Sequence, residues 1–358
     1  MKTIKFPSFL IIACIVLFAA LSGCSKIDDI DKNERLYIEG MPGTFLYNMA
    51  IDNNGMFYFV TGEVDQEAWE KLSPFSSYMP IKDYLSRKKD ENGNFEILVE
   101  NFGGKLCFDK NNQLWVLNSN IIYKFDERSF NKTKILDLTG NTTGALEFIA
   151  VDNDNNIWAG GIQTGLYKID SKLNLSHYNV SNSKLPTNDM TNIHVDKNNN
   201  IWIALWDDHG ILKISGNEWI VYNYLNSNIT SQKIWSLVTD KNGHLWIGTG
   251  WDNNSQLLMR FDGNQWETVN PQNDKNEIVN GAVRRLQSDG QKIYVVVEFV
   301  KEFGPYFISN ELLTFDGVNW NKIYDIPEDE NVYDLVMDDY RQAVWVTTPN
   351  KGIFKIPY

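Results

Sequence analysis

One short pattern recurs seven times along the chain: an Asp, a run of Asn, Asp, Gly and Lys, then an aromatic residue opening an apolar segment. The copies are AIDNNGMFYFVT, CFDKNNQLWVLN, AVDNDNNIWAGG, HVDKNNNIWIAL, VTDKNGHLWIGT, QSDGQKIYVVV and VMDDYRQAVWVTT. Their aromatic anchors are Tyr58, Trp115, Trp158, Trp202, Trp246, Tyr294 and Trp345, spaced by 57, 43, 44, 44, 48 and 51 residues. A unit of that size cannot cover its own apolar face. It must stack on neighbours of the same kind, so the period dictates a repeat architecture.

Within each copy an alternating apolar stretch leads into the polar run. Asp, Asn and Gly tolerate left-handed φ and bond their own backbone, which is the chemistry of a tight hairpin. Three residues before each Asp stands an apolar side chain, Met49, Leu106, Ile149, Ile193, Leu237, Leu286 or Leu335, which reads as a core position. Downstream, ISGNEWIVY, FDGNQWETV and FDGVNWNKI repeat a second turn and place Trp219, Trp266 and Trp320 on the strand after it. Each unit therefore reads as a four-strand meander. That is a propeller blade; solenoid repeats are shorter and lack the meander. The expected fold is all-β: one seven-bladed β-propeller of four-stranded antiparallel blades over residues 35–358. The last unit supplies three strands, ending at GIFKIPY, and RLYIEG at 35–40 is expected to add the fourth and close the ring. Closure removes the edges on which sheets aggregate.

The repeat resembles the two-component-regulator propeller repeat, whose pattern is near D-x-x-G-x-L-W-I-G-T-x-x-G-L. Residues 240–249, DKNGHLWIGT, fit it closely, and NIWAGGIQTGLYKI and VWVTTPNKGIFKI fit its second half. In that family the repeats often form the extracytoplasmic sensor of membrane histidine kinases, commonly with twice as many blades. This sequence departs from that arrangement: it shows no second propeller and no kinase or receiver domain, which puts signal transduction by the chain itself in doubt.

The first residues carry targeting information rather than fold. Lys2 and Lys5 precede FLIIACIVLFAA, an apolar run too short and wrongly flanked for a typical spanning helix. LSGC, residues 21–24, resembles the lipobox of bacterial lipoproteins. The resemblance implies cleavage of residues 1–23, diacylglycerol on the sulfur of Cys24 and an acyl group on its amine. Several acyl chains at about 0.8 kcal/mol per buried CH₂ hold a protein on a membrane. Residues 24–34, with SKIDDIDKN, read as a flexible tether, and the Lys followed by acids resembles the surface-export signal of Bacteroidetes lipoproteins. The expected location is the outer membrane, facing the periplasm or the cell surface. Once Cys14 is removed and Cys24 carries lipid, only Cys107 remains and no intrachain disulfide can form. The net charge of −13 excludes nucleic acid as a partner.

Function is expected on the face where loops enter the innermost strands and join strands two and three. Eight of the twelve Trp belong to the two repeating motifs. Trp69, Trp206, Trp235 and Trp251 do not. Trp206 and Trp251 sit in the loops ALWDDHG and GTGWDNN, and Trp235 near the start of the fifth inner strand, so all three are expected on one face near its centre. Aromatic rings beside Asp, Asn and His suit sugar or peptide recognition, where the ring covers an apolar face and polar groups fix orientation. The same residues serve equally to pack loops together. In register, the position five before each Asp reads Tyr47, Gly104, Glu147, Thr191, Trp235, Arg284, Tyr333. The next reads Asn48, Lys105, Phe148, Asn192, Ser236, Arg285, Asp334. These polar rings mark the channel mouth. The candidate ligand-binding set is Trp206, Asp207, His209, Trp235, Trp251, Asp252, Arg284, Arg285, Glu147 and Tyr333. Long loops at 63–94, with a helical start, and around EFVKEFGPYFISNE are expected to rise over the same face.

Catalytic signatures are weak. His244 falls in a turn on the opposite face, His177 in an outer region and His194 inside a strand, leaving His209 alone near the mouth. The family of propeller lyases that uses a His pair with magnesium is matched poorly for that reason. DNDNNI mimics a calcium loop but lacks its Gly and bidentate Glu. No catalytic residue, metal or cofactor is expected. Glu147, Asp207, Asp208, Asp252 and Glu298 on the same face keep a glycosidase-like pair open. The sequence thus points to non-catalytic binding of a glycan, peptide or envelope protein by a monomer. A polysaccharide lyase or hydrolase and a structural scaffold are the alternatives.

Overall fold

The computed structural model describes residues 35–36, 41–43, 45–71, 81–90, 93–126, 128–140, 144–229, 233–250, 257–273, 277–278, 281–300, 308–326, 332–348 and 352–357. Every blade is organised by the carboxylate of its Asp. In blade 4, Asp196 Oδ1 accepts the backbone N–H groups of Asn198 (2.9 Å) and Asn200 (2.8 Å), closing the turn. Its Oδ2 accepts the Trp202 indole N–H at 3.0 Å. One carboxylate thus satisfies turn and strand together. The indole bond recurs at Trp115 (3.2 Å), Trp158 (2.9 Å) and Trp246 (3.1 Å), and the Tyr294 hydroxyl makes it in blade 6 (3.0 Å). Trp345 makes it across a turn one residue longer, at 2.9 Å.

The third residue after the Asp is left-handed: Gly55 (φ 76°), Asn112 (φ 64°), Asn155 (φ 61°), Asn199 (φ 63°) and Gly243 (φ 85°). Where Asn occupies it, the side chain also reaches the neighbouring blade. The amides of Asn53, Lys110 and Asn153 donate to the Oδ1 atoms of Asn112 (2.8 Å), Asn155 (3.0 Å) and Asn199 (2.7 Å). Asn does there what Gly cannot, tying blades 1 to 4 in sequence.

The described strands form seven four-stranded sheets, each antiparallel. The innermost strands are Phe45–Ile51, Lys105–Phe108, Ala145–Val151, Met190–Val195, Ile234–Thr239, Ala282–Ser288 and Asp334–Asp338. Each packs against the next, and the last meets the first, so the ring is closed. The last sheet runs Asp334–Asp338, Ala343–Thr348, Gly352–Pro357, Arg35–Leu36, as expected from RLYIEG; residues 37–40 lie outside the described residues. On the turn side, Arg341 joins blades 7 and 1. Its Nη1 is 2.9 Å from Asp338, its Nη2 donates to Gly55 O at 2.8 Å, and its guanidinium lies 4.2 Å over the Phe57 ring.

The core lies between adjacent sheets, with Trp115, Trp158, Trp202, Trp246 and Trp345 all buried. Of the position three before the Asp, Met49, Leu237, Leu286 and Leu335 are buried, while Leu106, Ile149 and Ile193 are half-buried against the same clusters. The two long loops are corrected in part. Beyond a helix at Gln66–Glu70, residues Ile81–Lys88 are strand, paired with Phe57–Val64 as far as Val64 opposite Ile81. Ile293–Val300 pairs with Ile308–Phe315 as far as Val300 opposite Ile308. Much of the extra sequence therefore lengthens hairpins; residues 72–80 and 301–307 lie outside the described residues.

Candidate functional site

Five innermost strands carry a β-bulge at one position, five residues before the Asp: Tyr47, Glu147, Thr191, Trp235 and Arg284. The cause is visible in burial. Leu46, Leu146, Met190, Ile234 and Val283, six before the Asp, are all buried. They must face the core together with the residue three before the Asp. A regular strand puts residues three apart on opposite faces, so one extra residue has to be absorbed. The bulge absorbs it, and two consecutive side chains are left for the channel mouth. The carbonyl of the position five before the Asp is then taken by the preceding blade. Asn192 Nδ2 donates to Trp235 O (2.8 Å), Arg285 Nε to Tyr333 O (2.9 Å), and the Lys105 ammonium to Glu147 O.

These positions open into a funnel of about 1010 Å³. Tyr47, Glu147, Trp235 and Tyr333 line it from the bulge position, Lys105, Arg285 and Asp334 from the next, and Trp206 and Asp207 from the loop of blade 4. Tyr47, Tyr333 and Trp206 are each 37% exposed, so aromatic surface is presented to solvent at the rim. Deeper in, Asp334 accepts Asn48 Nδ2 (3.1 Å) and its neighbour's amide, Leu335 N (3.0 Å). Burial pushes the Asp334 carboxyl up to about 6, against the pull of Arg285 and Lys105. Lys105 is exposed at the mouth; partial desolvation there lowers its ammonium, which Glu147 and Asp334 partly restore. The floor is thus a mixed set of acids and bases, and the apolar rings stand above it.

Of the predicted residues, the structure brings Trp206, Asp207, Trp235, Arg285, Glu147 and Tyr333 to this one cavity. Two others lie apart from its lining. His209 closes the short 3₁₀ turn Asp207–His209, its Nδ1 3.0 Å from Trp206 O, so it shapes the loop that presents Trp206. Arg284 lies behind Trp235, its guanidinium 3.9 Å from the ring centroid, and Glu298 Oε2 is 3.3 Å from its Nε. Glu298 is therefore ion-paired behind the funnel wall. Trp251, Asp252 and Cys24 lie outside the described residues, and so does the expected gathering of Trp251 with the other two indoles. Asp189 and Gln163 also line the funnel and were missed by sequence reasoning; Asp189 Oδ1 accepts Gln163 N at 2.7 Å. Position just ahead of an innermost strand was the available signal for Asp189.

The remaining histidines are structural. His177 stacks on Tyr167 with centroids 4.1 Å apart. His194 accepts Thr239 N at 3.2 Å across to blade 5, and burial holds its imidazole down at about 4. His244 is 3.1 Å from Asp240. Among the described residues no group of three or more His, Cys, Asp or Glu is arranged to hold a metal, and no helix is long and apolar enough to cross a membrane.

Comparison with known proteins agrees with this architecture. The family model "Two component regulator propeller" matches residues 228–251. No curated protein matches the sequence. Among solved structures, the extracellular domain of a putative one component system from B. thetaiotaomicron is similar at 18% identity and TM-score 0.59, over 88% of this chain and 40% of that one. The extracellular domain of a putative hybrid two component system from the same organism is similar at 17% and 0.61, over 89% and 42%. The chain thus spans about two fifths of the length of these domains. Virginiamycin B lyase from Staphylococcus aureus is similar at 11% and 0.62, over 89% and 96%. At these identities the likeness is one of fold. The fold is thus a single ring of seven blades, and residues 228–251 within it match the two-component-regulator propeller repeat.

Proposed function

We propose that this chain is a non-catalytic binding protein of the bacterial envelope, held to the outer membrane through lipid on Cys24, and that its funnel receives a glycan or peptide chain. The observation that carries the reading is the funnel of about 1010 Å³ in which Tyr47, Trp206, Trp235 and Tyr333 surround a floor of fixed charges and amides. Rings supply area to cover an apolar face at small entropic cost, and the floor groups, pinned from neighbouring blades, supply direction. The envelope location is supported by the leader FLIIACIVLFAALSGC and by likeness to extracellular domains. Of the acids in and behind the funnel, Glu298 is ion-paired, Asp334 is hydrogen-bonded and Asp189 caps a loop, which leaves Glu147 and Asp207 as the carboxylates a lyase or hydrolase would use.

The test is a glycan and peptide array probed with the wild-type protein and with Trp206→Ala/Tyr333→Ala. Both side chains stand at the rim, so the variant keeps its melting temperature and loses at least about tenfold in affinity for whatever the wild type retains. Equal retention by both proteins moves the site elsewhere. Conversion of a bound glycan to shorter products points instead to a lyase or hydrolase.

A further inference from the structure

The bulge-position ring has one gap. Blade 2 places Gly104 where the other six blades place a side chain, and there the funnel wall opens into a side lobe of about 440 Å³. Tyr47, Asn48 and Lys105 line both spaces, so the lobe is continuous with the funnel. Its walls are aliphatic, formed by Val60, Ile81, Leu117 and Leu146. Glycines keep it clear. A Cβ on Gly103 would meet Val60 Cγ1 at 2.8 Å, and one on Gly62 would meet the Tyr47 ring at 2.7 Å and Asp83 Oδ1 at 2.9 Å.

Asp83 is the one carboxylate of this lobe. Among the described residues it has no hydrogen-bond donor and no cation. Lys105, the nearby base, turns its ammonium to Glu147 O instead. Burial raises the Asp83 carboxyl with nothing offsetting it. A half-buried carboxylate beside aliphatic walls, with no protein partner, leaves a charge that a ligand can meet, and such groups concentrate at binding sites. The shape of the deficit is specific. It asks for a positive donor at the end of an apolar stem. The chain's net charge of −13 draws a cation in the same direction.

We infer that the lobe between blades 1 and 2 is a binding subsite for an alkylammonium arm, the side chain of a lysine in an extended peptide, with its methylenes along Val60, Ile81 and Leu117 and its ammonium on Asp83. The inference rests on the funnel reading only in that the peptide backbone lies in the funnel; the arm itself is read by the lobe. It narrows the ligand to a peptide bearing lysine.

The experiment measures affinity of the full chain for N-acetyl-lysine N-methylamide and for its norleucine counterpart, which has the same stem without the charge. The wild type prefers the lysine probe by at least about tenfold. Asp83→Asn removes that preference, and it folds at least as stably, because a half-buried charge without an ion-pair partner is replaced by a neutral group. Ile81→Trp fills the lobe and weakens both probes. Trp206→Ala weakens funnel ligands but keeps the wild-type ratio of lysine to norleucine affinity, which separates failure of the lobe from failure of the funnel. Equal affinity for lysine and norleucine overturns the inference, as does a preference that survives in Asp83→Asn, or displacement of the lysine probe by glucosamine at equal concentration.

Discussion

At the scale of single residues, the repeating Asp is the hinge of the fold. Its two oxygens divide the work: Oδ1 holds the turn and Oδ2 holds the indole six residues on, as at Asp196. Asn200 Nδ2 adds a further bond to the same Oδ2 at 2.7 Å. On its other side each signature Trp meets a base from the third strand: Lys168 over Trp158 and Lys213 over Trp202 at 5.0 Å, and Lys355 over Trp345 at 5.4 Å. Asp196 is buried, and its removal strands the buried indole N–H of Trp202 and opens the turn. Asp196→Ala is therefore expected to cost about 3 kcal/mol, read as a lowered urea midpoint at unchanged slope. A loss below about 1 kcal/mol means that water replaces the carboxylate.

At the scale of elements, the bulged inner strand separates two kinds of position. Leu146 is buried in the core between blades 2 and 3, while Glu147 beside it faces the funnel. Leu146→Ala is expected to destabilise by about 3 kcal/mol, and Glu147→Gln by less than about 0.5 kcal/mol, in parallel denaturant titrations. Similar losses from the two changes contradict the bulge.

Blade number, strand count, the hairpin turns and the closing strand were legible in the sequence, because each rests on local chemistry repeated seven times. The bulge was legible in principle. Two consecutive non-core positions between apolar residues three apart violate strand alternation, and the register rings recorded that pair without its cause. What the sequence hid depends on distances between blades. Nothing local tells that Arg284 turns behind Trp235 to meet Glu298, that His209 folds back on its own turn, or that Asp83 and Gly104 share one cavity.

At the scale of the whole molecule, stability depends on the ring being shut. Arg35–Leu36 completes the last sheet, and Arg341 fastens the same blade to the first on the turn side. Asp338, its ion-pair partner, is buried, so removing the guanidinium leaves a buried acid with the Trp345 indole as its remaining side-chain donor. Arg341→Ala is expected to cost about 3 kcal/mol and to lower the melting temperature in a single calorimetric transition, since an opened ring exposes the faces of blades 1 and 7 together. Two resolved transitions show that the blades melt independently of closure.

The bulge also bears on how such a ring changes its tastes over generations. A side chain standing on an extra residue answers to neither of its buried neighbours, and across the blades that place holds Tyr, Glu, Thr, Trp and Arg on the same backbone. Drift at those few codons changes the chemistry of the mouth while leaving the folding code intact. A single scaffold can in this way present many different surfaces.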